Sequence, residues 1–336
     1  MNKTLITLAM WLLLAVCGTA QGDFGELSNI ANSLGFKPED EQKLLAGDII
    51  TANLPETTDK MLAQSFAIYA PIYTYKIADL VLSERVFEGD SQVLASGRID
   101  PKNIAKSLAK AQFNAKETSE LDSLKKFTGG DDFNLSSAEV AQLTAAVNAG
   151  KTKPKALSKL YRGFLAARVQ AYLKSGINGI APYQRGDGNT SSAAHDLTAM
   201  TKATTLLATG APGLYRSFLD YPQHQSSHLE HGFFWVKRKV QDRPTFVLEH
   251  RILEHSPEGG LVIMRREFYV GHSYNAAQAI SGAYTIAHKG TLIFSTIRSS
   301  SDQIQGAMGA ARHAIGRKLM TDELVARFKS LRTHFK

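Results

Sequence analysis

Cysteine is almost absent from this sequence: Cys17 is the single one among 336 residues. It lies in an N-terminal segment, residues 1–20, that is typical of a secretory signal peptide, with a positive charge followed by an apolar stretch. The small residues around Ala20 predict cleavage after that residue. We therefore expect an exported, periplasmic or extracellular mature chain without cysteine. Such a chain has no disulfide, no thiol nucleophile and no cysteine-ligated zinc.

The same cysteine offers an alternative. The sequence LAVC, residues 14–17, resembles a bacterial lipobox, whose cysteine carries a lipid anchor. Val16 stands where a small residue is usual, so we favour soluble export over lipid anchoring at Cys17. Beyond this segment, no apolar run of the sequence reaches the ~18 residues that a membrane-spanning helix needs.

Runs of like charge and catalytic signature motifs are also absent from the sequence. The formal net charge is +8, but the basic residues are dispersed, so a nucleic-acid groove is not predicted. Attraction to an anionic membrane surface or an anionic ligand stays open. No dinucleotide-binding glycine motif, Walker loop, His-Glu-x-x-His, EF-hand or Gly-x-Ser-x-Gly pattern is present. We therefore predict no cofactor.

What the sequence does contain is a change of periodicity along the chain. Residues 24–47 and 72–82 have helical spacing, and residues 61–70 alternate like a strand. Shorter strands are predicted at residues 48–54 and 92–97. The first third of the chain therefore mixes both types of element.

The middle of the chain, about residues 100–220, is predicted to be mainly helical. Ser136 and Glu139 have the spacing of a capping box before one helix. Residues 155–175 form one long amphipathic pattern that Gly176 is suited to end. This segment therefore reads as a helical insertion.

After Gly232 the pattern becomes β, and four strands are predicted from FFWVKRKV, TFVLEHRILEH, GLVIMRREFYV and GTLIFSTIR. The chain then ends in a helix predicted from about Asp302. Its apolar stripe is predicted to contain Ile304, Met308, Ala311, Ile315 and Leu319, and to continue after a break near residues 321–322 through Leu324, Phe328, Leu331 and Phe335.

This order of elements resembles the START-like, or helix-grip, domain over about residues 48–100 and 230–336. The resemblance implies an antiparallel sheet gripping a long C-terminal helix, often around an apolar cavity. We therefore predict an α+β fold with a helical insertion. The predicted parts are a signal peptide at 1–20, N-terminal helices at 21–47, and one α+β domain at 48–336.

Four segments are also similar to those of a family of exported bacterial proteins with no assigned function. They are GDIITANLP, FFWVKRKVQDRPTFVLEHRIL, EFYVGHSYNAAQAI and STIRSSSDQIQG. This resemblance covers most of the mature chain and implies export, but no activity.

Two polar residues are predicted in the middle of apolar strand faces. Arg266 shares a face with Met264 and Phe268, and His250 shares one with Phe246 and Leu248. A buried charge needs a partner, so Arg266 is a candidate contact for an anionic head group at the base of an apolar cavity. The alternatives are that Arg266 reaches water at the rim or forms an ion pair, with the candidate acids Glu249, Glu254 and Glu267.

The segment Arg298-Ser-Ser-Ser-Asp302 joins the last strand to the last helix. Ser301 and Asp302 are suited to cap the helix, which explains most of the cluster without catalysis. Capping does not explain Arg298, which shares a strand face with Phe294. We predict that both contact a ligand, with a structural ion pair as the alternative for Arg298.

Histidines suggest two further sites. His224, His228 and His231 would share a face on a helix and could bind a metal there, although a solvated linker is favoured. His272 precedes Ser273, but neighbouring strand residues point to opposite faces, so His272 is not expected to activate it. A pairing of His272 with Asp302 stays open.

Three functions follow, in order of preference. The first is an exported protein that binds an apolar or amphipathic, lipid-like molecule in a cavity between sheet and helix. The second is an exported hydrolase or metal-dependent enzyme that uses His272 with Asp302 or the His224 cluster. The third is a structural protein of the cell envelope.

Overall fold

The computed structural model describes residues 32, 34–255, 260–286, 290–306 and 309–331. The predicted signal peptide, Cys17 and most of the first predicted helix lie outside these residues. Within them, no helix is both long enough and apolar enough to span a membrane.

The centre of the molecule is an antiparallel sheet of eight strands, with a separate two-stranded ribbon. The strands are β1 (Ile50–Asn53), β2 (Met61–Ala70), β3 (Val93–Arg98), β4 (Tyr183–Gln184), β5 (Thr190–Ser191), β6 (Leu229–Val240), β7 (Arg243–His255), β8 (Leu261–Val270), β9 (Ala276–Ile286) and β10 (Gly290–Ser300). The order in the large sheet is β1-β2-β10-β9-β8-β7-β6-β3. β4 and β5 form the ribbon.

The helices of the described chain cluster in the middle of the sequence, as predicted. They are α1 (Asp40–Leu45), α2 (Thr74–Val81), α3 (Ile104–Ser107), α4 (Thr118–Lys126), α5 (Ser137–Asn148), α6 (Pro154–Ser175), α7 (Ala193–Lys202), α8 (Thr205–Gly210), α9 (Pro212–Leu219) and α10 (Gly309–Leu331). The capping box before α5 is present: Glu139 N–H donates to Ser136 Oγ, and the Glu139 carboxylate accepts from Ser136 N–H. Gly176 ends α6 with a φ of +56°.

The helical middle, α3 to α9, covers one face of the sheet, which we call the insertion face. Its core joins α6 to the strands through aromatic and aliphatic side chains. The opposite face, which we call the α10 face, is covered by α2 and α10. The predicted α+β fold, with an antiparallel sheet, a helical insertion and a long C-terminal helix, is thus confirmed. The sheet is buried on both faces.

The sequence pattern predicts four strands after Gly232, and the structure has five. The additional strand is β9, which pairs with β8 on one side and β10 on the other. Its sequence, AAQAISGAYTI, is rich in small residues rather than β-branched or aromatic ones. Helices α7 and α2 both contact β9. Close packing from both faces therefore favours small residues in this central strand, against their low strand propensity.

The C-terminal helix differs from the prediction in its start and its apolar face. A short 3₁₀ turn at Asp302–Ile304 comes first, and α10 begins at Gly309. Ile315 is 61 % exposed and Leu319 50 % exposed, so the predicted stripe is wrong there. The helix packs through the predicted continuation of the stripe, where Leu324 and Phe328, together with Met320, contact Phe66 and Ile297 of the sheet.

Candidate functional site

The predicted ligand contacts Phe246, Leu248, Met264 and Phe268 lie on the insertion face and are buried. Phe246, Leu248 and Phe268 belong to the core beneath α6, where Phe268 stacks on Tyr172 with ring centroids 4.0 Å apart. A bulge in β8 turns Tyr269 to the same side as Phe268. These side chains fill a core beneath the insertion. Their role as ligand contacts stays a prediction.

Arg266 is completely buried on the same face. Its guanidinium stacks 3.8 Å from the ring centroid of Phe218 and donates to the Phe218 carbonyl oxygen at 2.8 Å and to the Tyr172 hydroxyl at 3.2 Å. Glu249 and Glu267, two of the acids considered as partners, contact other arginines on the α10 face. Arg266 therefore joins the sheet to α6 and α9 through neutral groups.

His250 continues this arrangement. Its Nδ1 lies 2.9 Å from the Tyr172 hydroxyl, and its Nε2 lies 2.9 Å from His231 Nδ1. Because the Tyr172 hydroxyl accepts from Arg266, it can donate to His250 Nδ1, which leaves His250 Nε2–H to donate to His231. Burial, followed by His231 and Arg266, holds the pKa of His250 well below its ordinary value. In this chain of four polar groups the tyrosine and the histidines are neutral and Arg266 carries the charge, so we interpret the chain as structural.

Phe294 and Arg298 lie at the other end of the insertion face. Phe294 packs with Leu34 and Phe36 near the N-terminal helix. Arg298 donates to the carbonyl oxygen of Pro55 at 2.9 Å and approaches the sulfur of Met61. Burial lowers the pKa of Arg298, and Glu56 opposes that shift. Arg298 thus anchors the loop that follows β1.

The histidine metal site that the sequence offers as an alternative to a solvated linker is not assembled. His224 and His228 lie in the exposed loop before β6, whereas His231 lies on β6 and contacts His250. Among the residues that the structure describes, no group of three or more His, Cys, Asp or Glu side chains is placed to hold a metal ion. The loop has no helical periodicity, because Pro222 and polar residues dominate it.

His272 and Ser273 do contact each other, contrary to the prediction. His272 Nδ1 lies 2.7 Å from Ser273 Oγ. The prediction is wrong because β8 has ended: Ser273 has a φ of +73°, so the two residues do not alternate as in a strand. His272 Nε2 lies 2.6 Å from Thr245 Oγ1. Burial first, and then Arg243, lower the pKa of His272 to about 3. This neutral, buried histidine stabilises a turn.

Asp302 has a different set of partners from His272. It accepts hydrogen bonds from Arg185 Nε at 3.0 Å, Ser191 Oγ at 3.0 Å and Asn275 Nδ2 at 3.0 Å. Although burial acts to raise the pKa of the Asp302 carboxyl, these donors outweigh it and the pKa is lowered. Asp302 therefore connects the segment before α10 to the β4–β5 ribbon through hydrogen bonds. Ser301 caps the short 3₁₀ turn by accepting from Gln303 N–H, whereas the prediction has it cap α10, which begins later at Gly309.

A cavity of about 180 Å³ lies on the other side of the sheet, between the α10 face, α2 and α10. We call it the sheet–helix cavity. Most of its wall is apolar, and aliphatic side chains of β2, β8 and β10 face those of the two helices. The apolar lining is Ile68, Ile77, Leu80, Val81, Val86, Phe87, Ile263, Ala279, Ile293, Leu324 and Phe328.

Charged side chains form one end of this cavity. The lining contains three arginines and two acids, together with a hydrogen-bonded pair of serines. They are Arg238, Arg251, Arg265, Asp90, Glu249, Ser281 and Ser295. None of the eight predicted ligand contacts is in the lining that the described residues form.

Ion pairs organise this charged end. Glu249 Oε2 accepts from Arg251 Nη2 at 2.6 Å, and Arg251 Nη1 donates to the Val81 carbonyl oxygen at 2.6 Å. Arg265 lies 3.5 Å from Glu267. Burial acts to raise the pKa of Glu249, but Arg251 and Arg265 outweigh it and the pKa is lowered. Glu249 is therefore an ionised carboxylate in an almost fully buried position.

Two polar atoms at this end have no hydrogen-bond partner among the described residues. They are Glu249 Oε1, an acceptor, and Arg238 Nε, a donor. Both side chains are at least 97 % buried. An unsatisfied buried polar group is unfavourable by about 1–3 kcal/mol, and more for a charged one. Water or a bound molecule in the cavity can satisfy such atoms.

The cavity residues could be recognised only in part from the sequence. Strand alternation places Glu249, Arg251 and Arg265 opposite to His250 and Arg266, and this charged row is visible in the sequence. The sequence does not show which of the two faces meets the C-terminal helix. Arg238, from a neighbouring strand, and Asp90, from a loop, are joined to the row only by the fold.

Compared with known proteins, the chain matches no model of a protein family and no curated protein sequence. The site is therefore interpreted from its own geometry.

Proposed function

We propose that this chain is an exported protein that binds a small apolar or amphipathic molecule in the sheet–helix cavity. The observation that carries the proposal is a cavity of about 180 Å³ whose wall is mainly aliphatic and whose charged end holds unsatisfied polar atoms. An apolar cavity of about 150 Å³ can hold a benzene-sized molecule. A small aromatic compound or a short alkyl chain fits this space, whereas a complete phospholipid exceeds it.

Two features of the sequence support the other parts of the proposal. The apolar stretch and small residues of segment 1–20 support export. The resemblance to helix-grip domains supports a ligand between the sheet and the terminal helix, the position of this cavity. The unsatisfied atoms of Glu249 and Arg238 at the charged end support a polar group of the ligand at that end.

Methyl NMR on isoleucine tests the proposal, because Ile68, Ile263 and Ile293 line the cavity. Toluene and 1-hexanol serve as probes. We expect their addition to shift these three methyl signals in a saturable manner. The signal of Ile177, which lies in the core beneath the insertion, should stay unchanged.

A pair of alanine substitutions controls for non-specific effects. Ala279 lines the cavity, and Ala279→Leu fills part of it. Ala145 is exposed on α5, and Ala145→Leu adds the same atoms far from the cavity. We expect only Ala279→Leu to weaken the response of the three isoleucines. Equal responses in both variants, or none in the unmodified chain, would refute the proposed function.

A further inference from the structure

We infer that the molecule bound in the sheet–helix cavity carries an uncharged polar head that both donates and accepts a hydrogen bond, such as a primary amide or a hydroxyl group. This inference rests on the proposed function and specifies its ligand class. It is drawn from the two unpartnered atoms at the charged end, Glu249 Oε1 and Arg238 Nε.

The two atoms have opposite requirements. Glu249 Oε1 belongs to a carboxylate whose other oxygen is already occupied by Arg251, so it can only accept. Arg238 Nε carries a hydrogen and can only donate, since a guanidinium has no acceptor. The Nη2 atom of Arg238 is used separately, 3.0 Å from Glu323. A ligand head that satisfies both free positions therefore needs one donor and one acceptor.

Charge balance excludes ionic heads. The arginines Arg238, Arg251 and Arg265 face the acids Asp90, Glu249, Glu267 and Glu323 within ion pairs of this end. Cations and acids are therefore nearly matched before any ligand enters. A carboxylate or phosphate head would satisfy Arg238 but would meet Glu249 without a donor, and an ammonium head would satisfy Glu249 but not Arg238. An uncharged amide or hydroxyl leaves the balance unchanged.

The apolar lining determines the rest of the molecule. Ile263 and Ile293 line the cavity from the sheet, and Leu324 lines it from α10. The ligand is thus expected to place its head between β6 and β7 and its tail between the sheet and α10. A hexyl chain is a suitable tail for a test, because it is small enough for the cavity.

The experiment compares five ligands of six carbons each: hexanamide, 1-hexanol, hexanoate, hexylammonium and hexane. Binding is measured by titration of the Ile68, Ile263 and Ile293 methyl signals. We expect hexanamide and 1-hexanol to bind about tenfold more tightly than hexane, hexanoate and hexylammonium. Hexanoate or hexylammonium binding as tightly as hexanamide would overturn the inference.

A conservative variant adds a second readout. Arg238→Lys keeps the positive charge near Glu323 but removes the Nε donor. We expect it to reduce the preference for hexanamide over hexane to less than about threefold, with the affinity for hexane unchanged. Arg243→Lys is the matched control, because Arg243 pairs with Glu120 on the other side of the sheet. A preference that survives Arg238→Lys would contradict the inference.

The outcomes separate this inference from the proposed function. If hexane binds in the cavity and the head makes no difference, the proposed function stands and the head-group inference fails. If no ligand of the series shifts the three methyl signals, both fail. Because the comparison of ligands is made on the unmodified chain, it does not depend on the folding of a variant.

Discussion

Arg238 of β6 and Glu323 of α10 form an ion pair, with 3.0 Å between Arg238 Nη2 and Glu323 Oε1, that joins the sheet to the C-terminal helix beside the cavity. The helix side chain is partly open to water, since 34 % of it is exposed. Burial raises the pKa of Glu323, and Arg238 opposes that shift. Glu323 is therefore more accessible to water than Glu249, the acid of the buried pair deeper in the same end.

This difference gives a first prediction. We expect Glu323→Gln to lower the free energy of unfolding by about 1–2 kcal/mol, because Glu323 is partly exposed and buried Arg238 keeps Asp90 as a partner at 3.8 Å. Glu249 is 1 % exposed and pairs with buried Arg251. Glu249→Gln should therefore lower the free energy of unfolding by about 3 kcal/mol or more. Urea denaturation of both variants measures the contrast, and equal losses would contradict it.

A second prediction concerns Arg266. We expect Arg266→Ala to lower the free energy of unfolding by about 2–4 kcal/mol, because it leaves a cavity and unsatisfied groups between α6, α9 and the sheet. Arg266→Met keeps the packed stem and should be less destabilising. Neither variant should change the methyl response of Ile263 to 1-hexanol. A loss of that response in folded Arg266→Met would assign Arg266 to the ligand site.

A third prediction is a loss of stability in acid. The pKa values of the buried histidines His231, His250 and His272 are lowered in the folded state. The folded chain therefore binds fewer protons than the unfolded chain below the ordinary histidine pKa of about 6.5. The stability that the neutral histidines contribute is complete above that pH. It is lost as the pH falls towards the pKa values of the folded state, and the pKa of His272 in that state is about 3.

Urea denaturation between about pH 7 and about pH 5 measures this effect, and the free energy of unfolding should fall with pH. The His272→Gln variant should show a shallower fall, because one of the groups is removed. His195→Gln is the control, since the His195 side chain is 77 % exposed. A profile that is unchanged in His272→Gln would show that another group causes the loss.

A fourth prediction concerns residues 298–302, the segment that leads from β10 towards α10. We expect Asp302→Ala to lower the free energy of unfolding by about 2–4 kcal/mol, because it removes the acceptor of Arg185 Nε and one of the acceptors of Asn275 Nδ2 from a partly buried network. Ser299, in the same segment, is only partly buried, so Ser299→Ala should change it by less than about 0.5 kcal/mol. Denaturation curves at neutral pH distinguish the two. Comparable losses would mean that the segment acts through its backbone alone.

The sequence predicts the class of fold and much of the element order, but it does not distinguish the two faces of the sheet. Strand alternation separates Arg265 from Arg266 correctly, since one lines the cavity and the other lies beneath the insertion. Both faces are buried, however, so both carry apolar residues and neither can be recognised as the ligand side. β9 is not predicted for a related reason. Helices pack on it from both faces and favour small residues, which are not typical of a strand.

The pairing of β2 with β10 has a consequence for how the chain reaches this structure. Met61 pairs with Ser300 and Ala70 with Thr291, so the pairing joins parts of the chain that are more than about 200 residues apart. Such distant contacts must wait for a large loop to close, which slows folding. The sheet can be completed only after its last strand has been synthesised. We therefore expect β6, β7 and β8, which follow one another in the sequence, to assemble first, and the sheet–helix cavity to form in the final step.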